Sequence, residues 1–186
     1  MEQFDIQLFH WINNHHSAML DEIMWIISTK WSALPLYLFL LWQLFRFYKK
    51  QVAAILLGVI LLITASDQVS VAIKNSVQRY RPCHNEVVNK QVHLVNNHCG
   101  GKFGFYSSHA SNTLALSVFV YLLLPALRWK KWLFVWPLLV GYSRIYLAAH
   151  YPADVATGWL AGAILAFAAF FTLRKFKVSP NNLLVQ

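Results

Sequence analysis

The sequence predicts an all-α integral membrane protein: a helical bundle of about five transmembrane helices preceded by an N-terminal interfacial amphipathic helix. Three observations carry this. The 186 residues are 58% hydrophobic and only 12% charged, whereas a soluble domain carries about a quarter charged residues. The apolar residues gather in runs close to the roughly 20 helical residues that cross a bilayer. Finally, the basic residues fall between these runs in a way that puts them on one side.

The elements follow in order. Residues 3–14 read as an amphipathic helix, with Phe4, Leu8, Trp11 and Ile12 on one face and Gln3, Gln7, His10 and Asn14 on the other. Such a helix is expected to lie in the interface plane. Glu2 and Asp5 replace the basic start of a secretory signal, so no cleaved leader is expected. The apolar runs are about 22–46, 51–73, 109–127, 131–149 and 153–173, with an outer loop at 78–106. No repeat or low-complexity stretch divides them, so residues 1–186 are expected to form one membrane-embedded domain.

Charge orients the bundle. Arg46, Lys49 and Lys50 separate spans one and two; Arg128, Lys130 and Lys131 separate spans three and four; Arg174, Lys175 and Lys177 follow span five. With five spans, all nine face one side, which the positive-inside rule makes cytoplasmic. The N-terminus has no Lys or Arg before Lys30 and is expected outside. The net charge of +9 could suggest nucleic acid, but no basic patch remains on a soluble face. Trp25, Trp31 and Tyr106 fit an interfacial aromatic belt.

Cys83 and Cys99 both fall in the outer loop. In an oxidising compartment a bridge is expected, stabilising the loop by about 3 kcal/mol in the chain-entropy model. Free thiols are the alternative. A metal site with His84, His93 and His98 is the other, but the spacing matches no common zinc pattern.

Three polar blocks sit at ends of the apolar runs: Lys74-x6-Arg81-Pro82, Ser107-Ser108-His109, and Ser143-Arg144-x5-His150-x3-Asp154. The topology brings all three to the outer face. Each block alone has a structural reading: a snorkelling lysine, a helix-ending loop, interfacial histidines. Their joint occurrence points to a site. A helix continuing that far would put Lys74 and Arg81, seven apart, on one face, and Pro82 would then stop it. Ser107 to His109 begin a helix, where free N–H groups and the dipole favour an anion. His150 and Asp154 flank Pro152 at the next helix start, close enough for the carboxylate to fix the imidazole tautomer.

This inventory suits a phosphate ester. Lys74, Arg81 and Arg144 can neutralise its charge, the arginines with bidentate forks, and a hydroxyl with helix-end amides completes the cradle. One histidine can attack phosphorus while the other protonates the departing oxygen. No metal or other cofactor is expected, because the cations stabilise the developing charge and no carboxylate cluster favours Mg²⁺.

Together these blocks resemble the type 2 phosphatidic acid phosphatase family, which shares its motifs with the vanadium haloperoxidases. The family marks are K-x6-R-P, P-S-G-H and S-R-x5-H-x3-D. Lys74-NSVQRY-Arg81-Pro82 and Ser143-Arg144-IYLAA-His150-YPA-Asp154 match in full, while Tyr106-Ser107-Ser108-His109 keeps only the Ser and the His. The resemblance covers roughly residues 20–175. It implies that His150 is the nucleophile forming a phosphohistidine, Asp154 its orienting carboxylate and His109 the general acid. It also implies that Lys74, Arg81, Ser107 and Arg144 bind the phosphate. Ser108 stands where the family has Gly, which permits conformations Ser resists; Tyr106 replaces the rigid Pro. A vanadate-dependent oxidase is disfavoured, because those relatives are soluble.

Two further residue sets stand out. Asp67 lies inside span two, seven residues before Lys74 on the same face. A carboxylate at that depth is paired or functional: it is expected to pair with Lys74, hold a network under the site, or pack on a polar neighbour. Gly158-x3-Gly162 is expected to allow close helix contact.

The expected activity is metal-independent hydrolysis of a lipid phosphate monoester or diphosphate at the outer face of a bacterial inner membrane, with the C-terminus cytoplasmic. The resemblance implies undecaprenyl diphosphate, phosphatidylglycerol phosphate, phosphatidate or lipid A phosphates as substrates, with the first and last favoured. Two rivals use the same residues: a phosphotransferase passing the phosphoryl group to another acceptor, and a non-catalytic binder of anionic lipid headgroups.

Overall fold

The computed structural model describes residues 2–29, 31–125, 127–176 and 178. Lys30 and Lys177, both used above for orientation, lie outside the described residues. The described residues form seven α-helices, in order α1 (Glu2–Asn14), α2 (Ala18–Ser28), α3 (Leu34–Tyr48), α4 (Val52–Val77), α5 (Ser108–Leu123), α6 (Val135–Tyr146) and α7 (Pro152–Lys175). Among the described residues there is no strand, only an isolated bridge between Tyr80 and Phe103.

The expected first span, 22–46, is divided into α2 and α3. Thr29 and Ser32 explain the break. Thr29 Oγ1 donates to Ile26 O at 2.8 Å and Ser32 Oγ to Ile27 O at 3.0 Å. These hydroxyls satisfy the helix-end carbonyls that a continuing helix would use. Pro35 then occupies the first turn of α3, where its missing N–H costs nothing.

The fourth expected span, 131–149, is also shorter as an α-helix. Its start is 3-10 over Lys130–Phe134, and α6 covers 12 residues. The two together reach roughly 28 Å, close to the hydrocarbon thickness. Leu34–Val77 and Pro152–Lys175 are apolar and long enough to cross a membrane. The first of these turns back at Lys49, whose φ of 45° ends α3. Leu57, Ile60, Leu61, Leu160, Ile164 and Phe171 are exposed. An outward apolar belt of this extent faces lipid rather than water.

Helices α5 and α7 form the central pair. Gly158 and Gly162 make the approach possible: a Cβ on Gly158 would meet Ser107 O at 2.5 Å, and one on Gly162 would meet Ser111 O at 2.2 Å. One apolar cluster joins α3, α4, α5 and α7 around Leu44, Ile55, Phe119 and Leu123. A second lies toward the other end, where Phe9 and Ile12 of α1 and Met24 of α2 pack with Val95, Tyr146 and Tyr151.

This second cluster corrects the expected face of α1. The buried residues are Asp5, Phe9, Ile12 and Asn13, whereas Phe4 is 70% and Trp11 62% exposed. Polar partners drive the rotation. Asn13 Nδ2 donates to Tyr146 O at 2.7 Å and to His93 O at 3.0 Å, and its Oδ1 accepts from His93 N at 2.8 Å. Hydropathy periodicity counts Asp5 and Asn13 as outward, but both are buried with partners.

Candidate active site

Three chain segments converge beside the start of α7. Helix α4 ends at Val77, with Gln78 in left-handed backbone (φ 52°) closing onto Lys74 O at 3.0 Å. The chain then runs extended, and Arg81 N donates to Lys102 O at 3.1 Å while Gly104 N donates to Arg79 O at 2.8 Å. Residues 79–81 and 102–104 are thereby paired across the outer loop. The loop is closed by a disulfide between Cys83 and Cys99, whose Cα atoms are 6.0 Å apart.

Ser107 caps α5: its side chain accepts from Ala110 N at 3.4 Å, and its own N–H donates to Asp154 O at 3.0 Å. That second bond ties the start of α5 to the first turn of α7. Ser107, His150 and Asp154 are all buried. His150 Nδ1 lies 3.7 Å from Asp154 Oδ2, beyond hydrogen-bond reach but well within range for charge stabilisation.

The Asp154 carboxylate is otherwise fully engaged. Oδ2 accepts from Tyr151 N at 3.0 Å and Oδ1 from Arg79 Nη1 at 2.7 Å. Arg79 is the residue that sequence reasoning missed. Its other nitrogen, Nη2, donates to Asp5 Oδ2 at 2.6 Å, and its guanidinium sits 4.2 Å from the centre of the Tyr151 ring. Asp5 Oδ1 in turn accepts from Ala153 N at 2.8 Å. One guanidinium therefore clamps the start of α1 to the start of α7. The only hint in the sequence is that Arg79 is the sole charged residue between Lys74 and Arg81.

The expected cations gather around His150. Burial above all, then the charges of Arg81, Arg144 and Lys74 and the proximity of His109, hold the His150 imidazole well below its ordinary pKa. It is neutral at physiological pH, the state a nucleophilic nitrogen needs. Burial works against charge on Arg79, but Asp154 and Asp5 outweigh it and raise its pKa. Lys74 Nζ donates to Ser70 Oγ at 2.9 Å and to Ser108 Oγ at 3.4 Å. Arg81 Nε donates to Phe103 O at 3.3 Å, and Arg144 Nη1 donates to Ser28 Oγ. Gly104 fits against this cluster: a Cβ there would lie 3.1 Å from both Arg81 Cγ and Asp154 Oδ2.

Ser108 and His109 also line a cavity of about 650 Å³ between α3, α4, α5 and α6, walled mainly by Leu40, Leu44, Ile63 and Val140. The arrangement thus offers a neutral imidazole backed by a carboxylate, three cations, a second imidazole and an apolar recess. The remaining metal candidate, Cys83, His84 and Cys99, has both sulfurs committed to the disulfide. His93 and His98 lie elsewhere in the loop, with His93 Nε2 3.0 Å from Asp21.

Residues 51–177 match the family model of the PAP2 superfamily. The chain belongs to the PAP2 superfamily. It is 31% identical to the lipid A 4'-phosphatase of Bacteroides thetaiotaomicron over 94% of this chain and 79% of that one. Against the lipid A 4'-phosphatase of Porphyromonas gingivalis it is 33% identical over 85% and 68%. Its fold resembles the transmembrane PAP2-type phosphatidylglycerolphosphate phosphatase of Bacillus subtilis, with a TM-score of 0.67, 24% identity, and coverage of 95% and 85% of the two chains.

This PAP2 superfamily protein is a membrane-bound phosphatase. Its two departures from the PAP2 motif are absorbed locally. Ser108 supplies a hydroxyl to Lys74. Tyr106 is buried, and its carbonyl accepts from Ser70 Oγ at 3.2 Å, so the turn before α5 is anchored to α4.

Proposed function

We propose that the protein hydrolyses the phosphate of a lipid monoester or diphosphate through a phosphohistidine on His150. The observation that carries this reading is the neutral, buried His150, backed by Asp154 and surrounded by Arg81, Arg144 and Lys74. Nδ1 faces the carboxylate, leaving Nε2 as the attacking atom. Nε2 forms the bond to phosphorus, the bond from phosphorus to the lipid oxygen breaks, and His109 gives that oxygen its proton. Water then attacks the phosphohistidine, His109 takes a proton from it, and inorganic phosphate leaves with His150 restored. Asp154 stabilises the cationic ring between the two steps. Lys74, Arg81, Arg144, Ser107 and Ser108 hold the phosphoryl oxygens, whose charge changes most in the transition state.

The spans in this reading are α3, α4, α5, α6 with its 3-10 lead, and α7, and α1 with α2 cover the outer end. The site then opens to the periplasm of a bacterial inner membrane, and the basic ends of α3 and α7 face the cytoplasm. The recess lined by Leu40, Leu44 and Val140 receives acyl or prenyl chains. Lipid A phosphate is the favoured substrate, since two relatives bear that name.

The test is phosphate release from a panel of lipid phosphates in detergent with EDTA. The wild type is expected to turn over at least one, and His150→Ala none. Turnover that requires added metal would overturn the mechanism. Phosphorylated product on an added lipid or sugar acceptor would make it a transferase instead.

A further inference from the structure

One carboxylate in the site region takes no part in this mechanism. Asp67 stands in the membrane-spanning part of α4 and lines the same cavity as Ser108 and His109. Its hydrogen-bond partner is not Lys74, which bonds to Ser70 and Ser108, although the two charges are near enough to act on each other. Asn112, one turn after His109 on α5, donates Nδ2 to Asp67 Oδ1 at 2.8 Å. The other Asn112 atom, Oδ1, is buried without a hydrogen-bond partner. Asp67 itself is exposed, and the hydrogen bond from Asn112 engages only its Oδ1. A carboxylate on the wall of a largely apolar cavity is costly unless something uses it.

Their place decides what that is. His109 is the proposed acid for the leaving oxygen, so the wall just below it faces the leaving group. We infer that Asp67 and Asn112 form a leaving-group subsite selecting a phosphate monoester on a neutral, hydrogen-bond-donating headgroup, such as an acylated amino sugar, over a lipid diphosphate. This rests on the reading of the site as a lipid phosphatase. Asp67 Oδ2 presents an acceptor there, which matches hydroxyl or amide N–H donors, while Asn112 holds the carboxylate through its Oδ1. A diphosphate departs as a lipid phosphate, which would place a second anion beside the Asp67 carboxylate. That repulsion acts on binding and on the transition state alike.

The experiment compares kcat/KM for two probes in one preparation, purified lipid A carrying a single phosphate, at the 4' position, and undecaprenyl diphosphate, so the active fraction cancels from the ratio. Wild type is expected to prefer lipid A. Asp67→Asn is expected to shift the ratio toward the diphosphate by about tenfold, equivalent to about 1.4 kcal/mol. Asn112→Asp, which adds a second carboxylate, is expected to shift it the other way. A ratio unmoved by either variant would overturn the subsite while leaving the phosphatase reading intact. Loss of both activities in Asp67→Asn would also overturn it, because the role would then not be confined to choosing between substrates. A wild type inactive on every lipid phosphate would instead remove the reading beneath it.

Discussion

Replacing Arg79 with Met keeps the aliphatic stem but removes the charge that Asp154 and Asp5 share. Its contacts are 2.7 Å to Asp154 and 2.6 Å to Asp5, with side-chain exposures of 23%, 0% and 9% for the three residues. Deleting one partner of a buried pair costs about 3–5 kcal/mol, mostly for the charge left behind. Water reaching the partly exposed guanidinium position relieves some of this, so the lower end, about 3 kcal/mol, is expected. Asp154 keeps the Tyr151 N–H at 3.0 Å, so the carboxylate loses one anchor rather than both. A displacement of about 1 Å in its backing of His150 lowers kcat by about 10²-fold. Arg79 does not touch the proposed phosphate cradle, so KM changes by less than about twofold.

The assay is steady-state phosphate release together with thermal unfolding in detergent. Asp5→Asn, which leaves the Arg79–Asp154 contact in place, is expected to cost about 1–2 kcal/mol and to change kcat only a few-fold. In the double variant the costs are less than additive, by about 0.5–3 kcal/mol, since Asp5 is no longer stranded. Unchanged kcat and unfolding temperature in Arg79→Met would refute the clamp. A rise in KM with kcat intact would instead place Arg79 on the phosphate.

Three other outcomes follow from the same geometry. Gly162→Ala would set a methyl 2.2 Å from Ser111 O; forcing α5 and α7 apart is expected to cost about 1–3 kcal/mol, read as a lower unfolding temperature. Reduction of the Cys83–Cys99 bridge, or Cys83→Ser, removes a 16-residue closure and is expected to cost about 3 kcal/mol, with a mobility shift after thiol blocking. The acidic limb of kcat/KM should lie well below pH 6.5. His150 is active when neutral and its pKa is depressed by burial and the neighbouring cations, so activity persists as pH falls past the ordinary imidazole value and is lost only through the lower one. A limb centred near pH 6.5 would mean that His150 is not the titrating base, or is not held as described.

The sequence carries the motif residues clearly because their chemistry is unusual for a membrane helix. A lysine, three arginines counting Arg79, two histidines and Asp154 have few reasons to lie at helix ends in so apolar a chain. What it hides are residues whose value depends on distant partners. Arg79 sits in the variable stretch of the first motif and gains its role only when Asp154 and Asp5 arrive from 75 and 74 residues away. Asp5 and Asn13 lie on the buried face of α1, where periodicity assigns apolar residues, because their hydrogen bonds are tertiary. The break between α2 and α3 has the same character: the run 22–46 is apolar enough to continue, and the Thr29 and Ser32 hydroxyls end it by local bonds that hydropathy does not count.

The central claim is that phosphate passes through His150. The most direct test is rapid acid- and base-quench of the enzyme during turnover of a lipid phosphate, followed by peptide mass analysis. The account predicts a transient phosphoryl group, stable to base and labile to acid, on the peptide holding His150, and none in His150→Ala. Steady turnover with no phosphoenzyme at any quench time, or a phosphoryl group on another residue, would contradict it.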